Sequence, residues 1–293
     1  MRSIARAKLG YYPLPEEEGV RLRTLLSFPA EGASVLDPCA GTGAALNHLT
    51  ENATVTRYGV EIDADRAQQA AAAGVETIHG NIFDTQGKAE CLSLLYLNPP
   101  YDSEIGAFDN KRMEFLFLEH TQRWLVPGGV LLMVIQHKQI QSCVQLLAAH
   151  FNAFRVFRLT DPEAERFDQV ALFGVRKRIS SAAFEANRHA LLNAVWRNPL
   201  PTLTGQKPCY AVPFTPAAQL TYRACRWISL KTWQLLPLRG RRCCHSCCPR
   251  RKRRWAGPLS HCMEAMLDCF RQRDCSMEYS GKAMTATLHG GAQ

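Results

Sequence analysis

Apolar residues in this chain fall into short runs bounded by Gly, Pro and acidic residues, and these runs alternate with segments of helical period. Leu92-Ser93-Leu94-Leu95-Tyr96-Leu97 is the clearest run, and it reads as a strand buried on both faces of a parallel sheet. Ser34–Leu36, Arg57–Val60, Glu76–Ile78 and Val130–Ile135 read as further strands. Helices are predicted at Ala44–Leu49, at Asp63–Ala73 with Asp63 as cap and Gly74 as stop, at Met113–Trp124 and at Lys138–His150. Phe115, Leu116, Leu118 and Trp124 supply the apolar side of the third, and Pro127-Gly128-Gly129 breaks it. Ala153–Leu159 and Val170–Val175 give two last strands. The acidic connection between them, Asp161 to Asp168, is too short for a parallel crossover, so this pair must be antiparallel. The pattern is that of an α/β fold.

Ahead of this core, residues 1–33 form an arm and a helix. Gly10-Tyr11-Tyr12-Pro13-Leu14-Pro15 is stiff and extended. Glu16-Glu17-Glu18 then opens a helix whose carboxylates suit its positive end, with Val20, Leu22, Leu25 and Leu26 as the apolar stripe. Beyond the core, residues 179–224 hold a helical stretch, Ala183–Trp196, and several prolines.

Composition divides the chain in two. Residues 209–293 carry 14 Lys and Arg against 4 Asp and Glu, so the net charge of +9 lies entirely there. Nine of the 12 cysteines lie there too. The first part has the balance of an ordinary enzyme domain, and residues 225–293 form a basic, Cys-rich tail. No apolar run is long enough to span a membrane, and Met1 to Pro15 lacks the apolar core of an export signal. A cytoplasmic protein is expected.

Three strand ends carry candidate chemistry. Ser34–Leu36 runs into Asp37-Pro38-Cys39-Ala40-Gly41-Thr42-Gly43 and then a helix. Small residues let a ligand approach the backbone, and the helix start offers free N–H groups. Leu46 stands where a dinucleotide loop has its third glycine, and no phosphate-loop Lys follows, so phosphate is disfavoured. Asp37 suits a cationic group instead. Glu61 ends the second strand about 20 residues after the loop, where an acid accepts from ribose hydroxyls. The fourth strand ends in Asn98-Pro99-Pro100-Tyr101. Each proline fixes φ and removes a donor, so an Asn oxygen and a proline carbonyl can together hold both protons of an amino group. Tyr101 adds a face on which a planar group can stack. Residues 102–110 form a polar loop, a candidate lid.

In this order the motifs resemble those of class I S-adenosylmethionine-dependent methyltransferases, over roughly residues 8–178. The Asn98–Tyr101 motif is similar to the catalytic motif of adenine-specific DNA amino-methyltransferases with the gamma order of motifs. The resemblance implies a Rossmann-like, seven-stranded, mostly parallel sheet with one reversed strand in its C-terminal hairpin. It implies S-adenosylmethionine as cofactor and no metal. Tyr12 would close over the cofactor. Asp37, Ala40, Gly41 and Gly43 would surround its methionine part, and Glu61 its ribose. Asn81 and Ile82 would hold its adenine, Asn81 standing where the family usually has Asp. Asn98 and Pro99, followed by Pro100, would hold the target amine, with Tyr101 on the base.

The substrate implied is an exocyclic amine of nucleic acid, adenine N6 of DNA first, reached inside a duplex by base flipping. RNA or a protein glutamine is the alternative within the same chemistry. A nucleic-acid-binding protein with an inactive core is the rival of another class. The tail admits three readings: a zinc site on Cys244 and Cys247 with His261 or Cys262, a phosphate-binding arm through Arg250 to Arg254, or a remnant of a shifted reading frame.

Overall fold

The computed structural model describes residues 13–101, 112–197, 199–203, 208–222, 241–243 and 277–279. The elements in chain order are α1 (Glu16–Arg23), β1 (Leu26–Ser27), β2 (Ala33–Asp37), α2 (Ala44–Leu49), β3 (Val55–Glu61), α3 (Ala64–Ala72), β4 (Glu76–His79), β5 (Thr85–Gly87) and β6 (Leu92–Leu97). They continue with α4 (Met113–Thr121), β7 (Leu125–Gln136), α5 (Ile140–His150), β8 (Phe151–Arg158), α6 (Pro162–Arg166), β9 (Gln169–Arg176), α7 (Ser181–Trp196), β10 (Tyr210–Ala211) and β11 (Leu220–Tyr222). Tyr11, Tyr12, the loop 102–110, the basic run 250–254 and Cys244, Cys247, His261 and Cys262 lie outside the described residues.

Seven strands form one sheet in the order β4-β3-β2-β6-β7-β9-β8. All are parallel except β9, which runs antiparallel to both β7 and β8. This is the expected mostly parallel sheet with a reversed hairpin strand. Both of its faces are covered. Leu95, Leu97, Leu131, Met133 and Ile135 point into a core shared with α4, α5 and α7. Leu94, Tyr96, Val130, Leu132 and Val134 point into the opposite core, against α1, α2 and α3. Alternation along the central strands β6 and β7 therefore fills two cores at once, which is why their runs are continuously apolar.

Four details differ from the sequence expectation. Val20 is 46% exposed, while Glu18 is fully buried. Glu18 Oε1 accepts from the backbone N–H groups of Thr160 and Asp161 at 2.6 and 2.8 Å, so this carboxylate serves tertiary packing rather than the helix end. Pro127-Gly128-Gly129 lies inside β7 rather than ahead of it. The pairing with β6 is irregular between Leu92 and Leu94, which accommodates the break. Finally, the acidic connection contains a turn of helix, α6, and residues past Arg178 enter both cores, through Leu191, Val195 and Leu200 on one side and Leu203, Tyr210 and Val212 on the other.

Residues 208–222 return along the core as a strap. β10 pairs with β1 and β11 with β5. Tyr210 stacks on Phe173 at 4.8 Å between ring centres. The Thr215 hydroxyl accepts from Ser34 N at 2.9 Å and bonds the Ser93 hydroxyl, and Ser34 Oγ donates to the Pro216 carbonyl at 2.6 Å, so two serines buried in the central strands are satisfied. The chain forms two compact units, residues 1–223 and 224–293. In the second, strands β12 (Arg241–Cys243) and β13 (Met277–Tyr279) pair antiparallel.

Candidate active site

Strand order reverses between β2 and β6, since the chain builds outward to β4 from one and outward to β8 from the other. Open α/β sheets bind ligands in the crevice at such a point. Val35 pairs with Leu94 and Leu36 with Leu95, so the next pair along is Asp37 and Tyr96, and the loops after them share one edge. A cavity of about 300 Å³ lies there. Of the residues singled out from sequence, Asp37, Ala40, Glu61, Asn81, Ile82, Asn98 and Pro100 line it. Gly41, Gly43, Pro99 and Tyr101 do not, and Tyr12 is outside the described residues.

The glycine loop is shaped by close packing. Gly43 precedes α2 at φ 79°, and a side chain there would also press on Val75 and Ala70. At Gly59, on β3, a Cβ would come within 2.8 Å of the Ala40 Cβ. The loop can therefore lie flat on β3 only because β3 is bare at that point. Gly41 supplies a donor: its N–H bonds Glu61 Oε2 at 2.8 Å.

Asp37 is 2% exposed, and its Oδ1 accepts from Cys39 N at 2.9 Å. Burial pushes the carboxyl up to about 7 despite that bond, with the nearby Glu61 carboxylate adding to the rise. Burial and the Asp37 charge hold the Cys39 thiol well above its ordinary range, so it is a poor nucleophile at neutral pH.

Glu61 is 4% exposed rather than solvated. Its Oε1 accepts from Asp63 N at 2.9 Å and from Arg66 at 2.8 and 3.2 Å. Among the described residues Oε2 takes one bond, from Gly41, which leaves that oxygen a further lone pair. Arg66 escaped sequence reasoning; its only signal there was a basic residue in the first turn after Asp63, whose own side chain caps α3 through Arg66 N at 3.0 Å.

Asn81 Oδ1 accepts from Phe83 N at 3.1 Å, which fixes the amide so that its NH2 end is turned away from that turn. Apolar walls complete the cavity: Ile62, Ile82, Phe83, Met113 and Phe117. Ile62 and Phe83 are 57% and 37% exposed, unusual for such residues, and the Phe83 and Phe117 rings meet edge to face at 5.2 Å. Apart from Ile82 these walls were not foreseen, because single apolar residues beside a loop carry no pattern.

Asn98 stands at the end of β6 on the cavity wall. Its Oδ1 accepts from the Tyr101 hydroxyl at 3.3 Å, and Gln169 Nε2 donates to that hydroxyl. The Tyr96 hydroxyl is buried beside Asn98 yet makes no hydrogen bond among the described residues. Among the described residues, no group of three or more His, Cys, Asp or Glu is placed to hold a metal. No described helix is long and apolar enough to cross a membrane.

A sheet of this order with glycine-loop and acidic strand ends at its switch point is the arrangement of a class I methyltransferase. The chain belongs to an uncharacterised methyltransferase family, DUF6094, whose profile matches residues 1–213. Its cofactor is S-adenosylmethionine, and the cavity suits that molecule chemically, with two buried acids, Asp37 and Glu61, and several apolar walls. No curated protein matches the chain. Similar solved structures include one assigned as a class I S-adenosylmethionine-dependent methyltransferase from Listeria monocytogenes (14% identity, TM-score 0.47, 57% of this chain and 61% of that one). The EcoKI type I restriction enzyme M protein is another (17%, TM-score 0.46, 58% and 44%). A third is assigned as an RNA methyltransferase, from Pyrococcus horikoshii (15%, TM-score 0.42, 58% and 88%). This chain thus spans less than two thirds of the first two.

Proposed function

We propose that the protein transfers a methyl group to an exocyclic amino nitrogen of a nucleic-acid base, adenine N6 of DNA foremost. The observation that carries this reading is the placement of Asn98 on the cavity wall with Tyr101 at its side. Asp37, Ala40, Gly41 and Gly43 surround the methionine part of the cofactor, Gly41 and Gly43 by shaping the loop. Glu61 takes a ribose hydroxyl on Oε2. Asn81, Ile82 and the apolar walls take the adenine. Tyr12 belongs to this reading as a lid. When bound, S-adenosylmethionine supplies an electrophilic methyl on a sulfonium.

The chain's own part is positional. Asn98 Oδ1 and the Pro99 carbonyl accept the two protons of the target amine, which leaves its lone pair outside conjugation and aimed at the cavity. Pro99 and Pro100 stiffen the loop that holds them, and the Tyr101 ring offers the base a stacking face. Well-oriented attack of this kind accounts for large rate gains without a strong base.

The test uses cofactor labelled in its methyl group with DNA, RNA and protein substrates. DNA should become labelled, the label should appear as N6-methyladenine, and Asn98→Ala should abolish it while leaving S-adenosylhomocysteine affinity nearly intact. Labelling of RNA or of protein glutamine in place of DNA would move the substrate assignment. Transfer at parental rate by Asn98→Ala would reduce the loop to a structural turn.

A further inference from the structure

Gln169 opens β9 and is 4% exposed. It is paired in register with Gln136 of β7, so its backbone is held by the sheet. An amide buried there is costly unless bonded, and its Nε2 donates to the Tyr101 hydroxyl, 68 positions earlier in the chain. The direction of the relay follows from chemistry. Nε2 has only protons to give, so the phenol oxygen accepts from Gln169 and directs its own proton to Asn98 Oδ1, at 3.3 Å. That second bond is at the long end of the range, so another donor can take its place. The atom it occupies is the one that must accept from the target amine.

We propose that Gln169 is a positioning residue for the transfer: it holds the Tyr101 phenol from the sheet side, so that Tyr101 caps Asn98 Oδ1 in the resting site and releases that oxygen to the incoming amine while its ring stays in place. This rests on the assignment of Asn98 to the target amine. A ring anchored to a strand spares the base the work of ordering it, and sites supported from rigid elements are the more closely held.

A double-mutant cycle on the full chain tests this, with Gln169→Leu, Tyr101→Phe and the pair, read as kcat for methyl transfer to a single-stranded oligodeoxynucleotide containing adenine. Gln169→Leu should lower kcat about tenfold with KM for S-adenosylmethionine unchanged, and the pair should be no slower than Tyr101→Phe alone. Gln169→Glu, which can still bond the phenol as an acceptor, should recover part of the loss. A parental rate in Gln169→Leu, or a tenfold loss that persists in the Tyr101→Phe background, would overturn the proposal. If the parent chain transfers nothing to the oligonucleotide, the substrate reading falls instead. The same cycle in urea unfolding then decides: coupled effects of the two side chains support the anchor, and additive effects overturn it.

Discussion

Replacing Asp37 by Asn should stabilise the protein above pH 7 while disabling its cofactor site. The side chain is 2% exposed, and its carboxyl titrates at about 7 rather than at the ordinary 3.8, chiefly through burial. Between those values the folded protein holds a proton that the unfolded chain has lost. Stability therefore falls as pH rises from 3.8 to 7, and the full cost is present above 7. The interval corresponds to a ceiling of ~4 kcal/mol, and structural relaxation leaves about 2. Asn has nearly the same shape, keeps an oxygen for Cys39 N–H and carries no charge to bury. Urea unfolding of both proteins from pH 4 to pH 8 measures the difference. It should be small at pH 4, widen through pH 7 and level off at about 2–4 kcal/mol in favour of Asn. A difference that does not change with pH, or a less stable Asn variant at pH 8, would refute the account of Asp37 as a buried acid. The same linkage bears on ligand binding. If ionised Asp37 holds the cofactor's ammonium, affinity for S-adenosylhomocysteine should fall up to tenfold per pH unit below 7 and be lost in the variant.

Glu61→Gln should weaken S-adenosylhomocysteine binding by roughly 1.5–3 kcal/mol, the scale of a charge-assisted bond. Unchanged affinity by calorimetry would take Glu61 out of the ribose site. Tyr96→Phe removes a buried hydroxyl that has no hydrogen-bond partner among the described residues and should raise stability by about 1 kcal/mol; a loss of stability in urea would mean that the hydroxyl is bonded in solution.

The sheet was legible because its strands are buried on both faces. Such strands leave uninterrupted apolar runs, and Leu92–Leu97 and Val130–Ile135 appear in the structure where the runs lie. Asp63 and Gly74 bounded α3 because capping is local chemistry, settled within four residues. The candidate site was legible to the same degree: Asp37, Glu61 and Asn98 stand at strand ends, and strand order alone brings them to one cavity. What escaped were relations between distant positions. Gln169 reaching Tyr101, Thr215 reaching Ser34 and Ser93, and β11 pairing with β5 leave no trace in either partner's neighbourhood. Glu18 shows the same failure in reverse. Its triplet of acids looks like a helix start, and only the Thr160 and Asp161 amides explain why one of them is buried.

The polar groups of the central strands follow two regimes. The Ser34 hydroxyl donates to the Pro216 carbonyl and the Ser93 hydroxyl bonds Thr215, and beside the strands, on α4, the Arg112 guanidinium meets both Glu114 carboxylate oxygens at 2.7 and 3.1 Å. Along the cavity the balance is reversed. Asp37 is buried against its charge and the Tyr96 hydroxyl makes no hydrogen bond among the described residues, at the far ends of the same two neighbouring strands. Local rules are broken in this way where a site needs reactive or ligand-seeking groups, and the surrounding packing holds them there. Here that packing is Leu36, Leu94 and Leu95, none of them measurably exposed. A ligand bearing a cation would satisfy Asp37 in its ionised form and recover the cost that folding left behind. The instability of Asp37 and its affinity for such a ligand are thus two consequences of one buried carboxylate, and a substitution that relieves the first should remove the second.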